Sequence, residues 1–187
     1  MRMMKIAVPL VLAATLGVSA LALADGHGKG DALAEADAQV LDLEKMCAET
    51  AGARSARHVE KTLYERLGKE DGILMLIKEL VRLHKENEAI AHLFKGLDDD
   101  LVAKRVTDFM VSGTGGPDIY RNRPTLPDSH RHMKLTNADF MTAGADVIQA
   151  MQNLHYGQDE IDELVCVLVS LRPMVVLDEG VHERASR

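Results

Sequence analysis

Tryptophan is absent from this chain, and only three phenylalanines and three tyrosines occur among its 187 residues. A core built from such a sequence must be largely aliphatic, so each aromatic position carries information. Cysteine is scarce too. Cys47 and Cys166 are the only two; they can pair, but they exclude a fold held by a disulfide framework. Positive charge is in deficit: the formal charge is −7 at neutral pH, which argues against nucleic acid or an anionic membrane surface as a partner. From His58 onward there is no strand-like alternation of apolar and polar residues, so an all-α domain is expected. Beyond residue 24 no apolar run is long enough to cross a bilayer.

The first 24 residues read as a secretion signal. Arg2 and Lys5 give a basic start, Ile6 to Leu23 is apolar apart from Thr15 and Ser19, and Ala22-Leu23-Ala24 supplies small residues for cleavage. A retained anchor is the alternative, because the apolar run is about long enough to span. Cleavage after Ala24 removes Arg2 and Lys5 and takes the formal charge from −7 to −9. The expected location is the periplasm or the exterior, where disulfides persist. Whether Cys47 then bonds Cys166, another chain or nothing stays open, and Cys166 can also be an inert buried thiol.

The chain divides into a signal at 1–24, a polar leader and extra helix at 25–57, a main domain at 58–177 and a polar tail at 178–187. In the extra helix, expected over Asp31 to Glu49, Leu33, Ala36, Val40, Leu43 and Cys47 share one face. Gly52 to Ser55 reads as a break. The main domain opens with a short helix over Val59 to Leu67, stopped by Gly68. A helix over Asp71 to Lys85 buries Ile73, Ile77, Leu80, Val81 and His84. Another starts at the aspartates of 98–100, where a helix N-terminus favours negative charge, and ends near Gly113. Thr136 and Asp139 form a capping-box-like start to a helix that Gly157 stops. The last helix runs from about Asp159 to Val176, bent or ended early by Pro173. Between the third and fourth main helices lies Gly115 to Ser129, which holds three of the five prolines and reads as loop. Loops this long inside a compact domain are usually functional.

Ordered short motifs accompany that loop. Leu63-Tyr64-Glu65-Arg66-Leu67-Gly68 opens the domain, Gly115-Gly116-Pro117 and Tyr120 open the loop, and His130 is followed by Leu135 and Phe140 at five and ten residues. In this series the chain resembles the truncated haemoglobins, most closely their first group, over Leu63 to Val176. The resemblance implies a two-over-two helical sandwich around haem b, with the helices starting near Asp71 and Asp99 as one pair and those near Asn137 and Asp159 as the other. It makes His130 the proximal iron ligand. Globin iron takes a neutral imidazole whose orientation is fixed by its surroundings. His132 is the rival, but Met133 and Leu135 match the apolar positions that follow the ligand only if His130 is chosen. With no CxxCH in the chain, covalent c-type attachment is not indicated. The resemblance further implies haem contacts from Phe94, Val102, Val106, Met133, Leu135 and Phe140, and propionate contacts from Arg105 and Tyr120. Phe109 reads as core packing.

Where members of the group commonly carry a phenylalanine–tyrosine pair in the second helix, this chain has Leu80 and Val81. Val102 and Val106 stand on the third-helix face, where a glutamine often assists. The distal wall is thus expected to be apolar. A dioxygen ligand would lack a donor worth about 1.5–3 kcal/mol as a charge-assisted bond. His84, one turn beyond Val81, reads as a core histidine with a satisfied hydrogen bond, with distal ligation as its alternative. Lys104 could ligate the iron if deprotonated but is expected to point to solvent, and His92 and His155 take no role. The implied function is binding of O2, NO or CO. A haem redox or peroxidase-like protein with an electron donor, or a haem carrier, is the alternative.

Overall fold

The computed structural model describes residues 29–176. The expected signal, the first residues of the leader and the polar tail lie outside this range. No helix among the described residues is long and apolar enough to cross a membrane.

The first helix, α1 (Lys29–Glu60), is longer than its apolar stripe predicts. Ala36, Val40 and Cys47 are buried as expected. The helix then runs through Gly52, where a break was expected. Gly52 costs about 1 kcal/mol relative to alanine in a helix interior, but the face continues at the same spacing with Thr50, Arg54 and Arg57, all half-buried. Arg54 donates to Thr50 one turn back. Arg57 reaches Asp159 at 3.2 Å and Glu163 at 3.7 Å. Glu163, buried, also takes Arg66 at 2.5 Å, and Arg66 pairs with Glu160 at 2.9 Å. These charges come from 100 residues away in sequence, which is why local reading ended the helix early.

The expected helix over Val59 to Leu67 is instead the end of α1, a corner, and a single turn, α2 (Leu63–Arg66), with Thr62 and Glu65 in a capping box. Then come α3 (Lys69–Glu86), a 3₁₀ turn (Ala91–Phe94), α4 (Asp99–Gly113), α5 (Leu126–His130), a second 3₁₀ turn (Arg131–Met133), α6 (Asn137–Asn153) and α7 (Gln158–Val175). Asp98 caps α4 through the Leu101 N–H, and the Thr136–Asp139 capping box of α6 forms as its residues suggest. Pro173 does not end α7 early. It falls in the last turn, and its missing N–H costs the helix only the one bond to the Val169 carbonyl.

Helix α3 packs on α4, and α6 on α7; α3 also crosses α6, and α1 lies across α6 and α7. Leu63, Leu67, Ile73, Leu76, Ile77, Val111, Ala150, Met151 and Leu164 are almost wholly covered. Each large aliphatic side chain so buried stabilises by about 1.5–3 kcal/mol. Cys47 of α1 and Cys166 of α7 are bonded, with a Cα–Cα distance of 5.4 Å. In the chain-entropy account, closing a loop of 119 residues stabilises by about 4–5 kcal/mol. The extra helix is therefore covalently part of the core.

Candidate functional site

The segment between α4 and α5 has little regular structure but many fixed points. Gly115 has φ +96°, and a Cβ on Gly116 would meet the Tyr64 ring at 2.7 Å and the Val111 carbonyl at 2.8 Å. The reversal after α4 thus needs both glycines. The Gly116 N–H donates to the Val111 carbonyl at 3.0 Å. Farther on, the Ile119 and Tyr120 N–H groups both donate to Ser112 Oγ at 3.0 Å. Arg123 reaches the buried Asp108 at 3.0 Å, and Tyr120 sets its ring edge against Phe109 at 5.2 Å. The Tyr120 hydroxyl donates to the Pro124 carbonyl at 3.1 Å, so it braces the loop.

The loop ends sooner than expected. Residues 126–130 form α5, capped by Thr125, whose Oγ1 accepts from the Asp128 N–H at 3.3 Å. Pro127 does not forbid this, because it stands in the first turn, where its missing N–H costs no helical bond. His130 is the last residue of α5. Its Nδ1 lies 2.8 Å from the Leu126 carbonyl. A carbonyl only accepts, so Nδ1 carries a proton, and in the neutral ring the lone pair is the one on Nε2. The ring is half-buried, whereas His132, two residues on, is exposed and makes no hydrogen bond among the described residues. After the second 3₁₀ turn, Leu135 makes an isolated parallel bridge with Val176 at the end of α7. Both sides of His130 are thus tied down.

The half-buried apolar residues form a pattern. All three phenylalanines, the largest apolar side chains present, are only partly covered, while the core beneath them is aliphatic. Leu80, Val102, Val106, Phe109 and Phe140 pack at the margin of the core cluster; Met133 and Leu135 are also half-buried. Arg105 is exposed and joins no ion pair among the described residues. Val81 is buried and floors a cleft of about 290 Å³ between α3 and α4 with Ala103. Lys85–Asp99 at 2.7 Å and Lys78–Asp100 at 3.7 Å flank that cleft. Phe94 lines a second, open cleft of about 420 Å³ with Lys85, His92 and Leu97.

His84 is the satisfied core histidine that its position suggested. Its Nδ1 lies 2.8 Å from Asp146 Oδ2 on α6, and Asn87 Nδ2 donates to the same carboxylate at 3.0 and 3.1 Å. Burial pushes the imidazole below its ordinary range and outweighs the pull of Asp146. Its ring lies 5.0 Å from that of Phe94, tilted by 34°.

Four residues here were not singled out from sequence: Asp108, Ser112, Arg123 and Asp146. The first two repeat at four-residue spacing with Lys104 on α4, a polar row that could have been matched to the adjoining loop. Asp146 interrupts an apolar stretch of α6, the signal of a buried polar group with a partner.

Residues 62–176 match the family described as bacterial-like globin. A group 1 truncated hemoglobin from Tetrahymena pyriformis is 27% identical over 112 residues, covering 60% of this chain and 92% of that protein. The crystal structure of truncated hemoglobin from Tetrahymena pyriformis in its Fe(III) form superposes with a TM-score of 0.59 at 25% identity, covering 63% of this chain and all of that one. A Synechococcus 2/2 hemoglobin in the cyanomet state, with covalently attached heme, gives a TM-score of 0.58 at 25% identity, covering 62% of this chain and 98% of that one. The residues matched contain α2 through α7, and α1 lies outside them.

Proposed function

This chain belongs to the bacterial-like globin family, and on that premise we propose that it is a haem globin binding diatomic ligands (O2, NO or CO) at an iron held by His130. The observation that carries the reading is the His130 ring: half-buried, with Nδ1 committed to the Leu126 carbonyl and Nε2 carrying the free lone pair. That is the tautomer a proximal ligand requires. The surrounding residues fit the group. A large, flat, apolar cofactor suits a margin where Phe94, Val102, Val106, Met133, Leu135 and Phe140 are half-covered, and burying that margin stabilises the complex. Arg105, exposed and outside any ion pair among the described residues, offers a charge for a propionate.

A bound haem would supply an iron able to take a small ligand, and His130 is the residue that would hold that iron through Nε2. His130 holds its side through one nitrogen while the other is locked by the backbone. Leu80, Val81, Val102 and Val106 make the opposite wall in this reading, and none of them can donate a hydrogen bond. Such a wall favours CO and NO over retention of O2, so the reading is ligand binding without high-affinity oxygen storage. The chain's two cysteines are bonded to each other and leave no thiol for a c-type thioether link, which supports haem b. The same bond supports export to the periplasm or exterior, as the basic and apolar N-terminus suggests.

Titration of the purified protein with hemin tests this. The expected result is a Soret shift, and a ferrous form that binds CO. His130→Ala is expected to weaken haem binding by more than about 100-fold, since losing only the group that orients a metal ligand already costs 10–100-fold. No Soret shift with the wild type would overturn the haem reading. An unchanged spectrum in His130→Ala would move the ligand elsewhere.

A further inference from the structure

Asp108 is a charged side chain at 4% exposure with no place in the ligand chemistry above. Its carboxylate takes Arg123 at 3.0 Å through Oδ2 and Lys104 at 3.0 Å through Oδ1. Lys104 comes from one turn back on α4, but Arg123 comes from the connection to α5. One turn farther along α4, Ser112 donates to the Asp108 carbonyl at 3.0 Å and accepts from the N–H groups of Ile119 and Tyr120. The row 104, 108, 112 therefore holds residues 119–123 by a side-chain ion pair and two backbone hydrogen bonds. The Tyr120 hydroxyl then carries the restraint to Pro124, Thr125 caps α5, and α5 ends at His130.

A connection of this length without regular structure would otherwise move on its own. Buried charges are retained only where they are paired, and breaking one partner leaves the other exposed to the full cost of desolvation. Arg123, two-thirds covered, is the one cation on Asp108 that belongs to the loop; Lys104 is mostly in solvent. We propose that Asp108, with Arg123 and Ser112, is a positioning latch: it fixes residues 119–123, which lead into α5, against α4 and so helps set the pose in which His130 meets the iron. The latch rests on the globin reading for its purpose, but not for its existence. Because α4 also carries Val102, Val106 and Arg105, one rigid helix ties the two faces of the site together.

Asp108→Asn keeps the shape and removes the charge. Arg123→Gln removes the opposite charge of the pair, from a side chain nearer the surface, should the first variant fold poorly. In haem-free protein, hydrogen exchange over residues 119–130 is expected to speed up at least tenfold, with exchange in α6 and α7 unchanged. In haem-loaded ferrous protein, the iron–histidine stretching band is expected to shift or broaden, and haem to dissociate at least tenfold faster. Arg123→Lys is expected to restore part of both. Unchanged exchange over 119–130 overturns the latch. Faster exchange with an unmoved iron–histidine band overturns its role in positioning His130. A wild-type protein that takes up no haem overturns the globin reading and the positioning role, while the exchange arm still judges the clamp.

Discussion

Two histidines in this molecule have the same Nδ1 distance to a partner and opposite surroundings. His130 ends a one-turn helix, is half-buried, and gives its Nδ1 proton to a backbone carbonyl at 2.8 Å. His84 sits inside an 18-residue helix, is buried, and meets a carboxylate at 2.8 Å. A carbonyl in the same turn orients a ring without adding charge, which leaves the far nitrogen ready for a metal. A carboxylate from another helix makes a part-buried polar pair that fastens α3 to α6, with the His84 ring 5.0 Å from that of Phe94. Fixation of one nitrogen is thus not by itself the mark of a ligand, since carbonyls and carboxylates both orient metal-bound imidazoles; the second nitrogen's access decides.

The contrast can be broken most severely at Asp146. Asp146→Ala leaves His84 and Asn87 without their shared acceptor, and is expected to destabilise the fold by about 2–3 kcal/mol, read as a lower denaturant midpoint. The haem spectrum is expected to survive that change; its loss would show His84 to be part of the site. A smaller effect is expected on the wall assigned opposite His130. Val81→Tyr supplies the donor this chain lacks, and a gain of about 1.5 kcal/mol slows oxygen release roughly tenfold. An unchanged release rate would mean that Val81 does not face the ligand.

The smallest effect is on pH dependence. The folded chain holds His84 below its ordinary pKa of about 6.5. As pH falls through that value, the unfolded chain takes a proton that the folded chain refuses. The contribution of neutral His84 is therefore complete above pH 6.5 and is lost on acidification toward the folded-state value. His84→Gln, which can still donate to Asp146, is expected to flatten the stability profile below that pH. An equally steep profile would assign the acid sensitivity to other groups.

Much of this was legible because local rules governed it. Thr136 with Asp139, the aspartates before α4 and the 3–4 spacing of Leu33 to Cys47 all act within a turn or two of themselves. What stayed hidden depended on partners far along the chain. Helix α1 passes Gly52 because Arg57 finds Asp159 and Glu163. Residues 126–130 are helical because Pro127 falls in the first turn, which the density of prolines masked. His130 was picked out as candidate ligand only through the family resemblance that its interval to Phe140 helps carry, but the group that fixes its ring is a backbone carbonyl, which no sequence pattern marks. His84 was read as satisfied without any sign that Asp146 satisfies it.

The Cys47–Cys166 bond closes a covalent ring over the end of α1, all of α2 through α6 and the first half of α7, with His130 inside it. A single cut in the connection after α4 linearises it without shedding a piece. The two fragments stay tethered, and the arm that carries His130 remains within reach of the helix it was cut from. In an environment where proteases share the space, the site's parts outlast the continuity of its backbone.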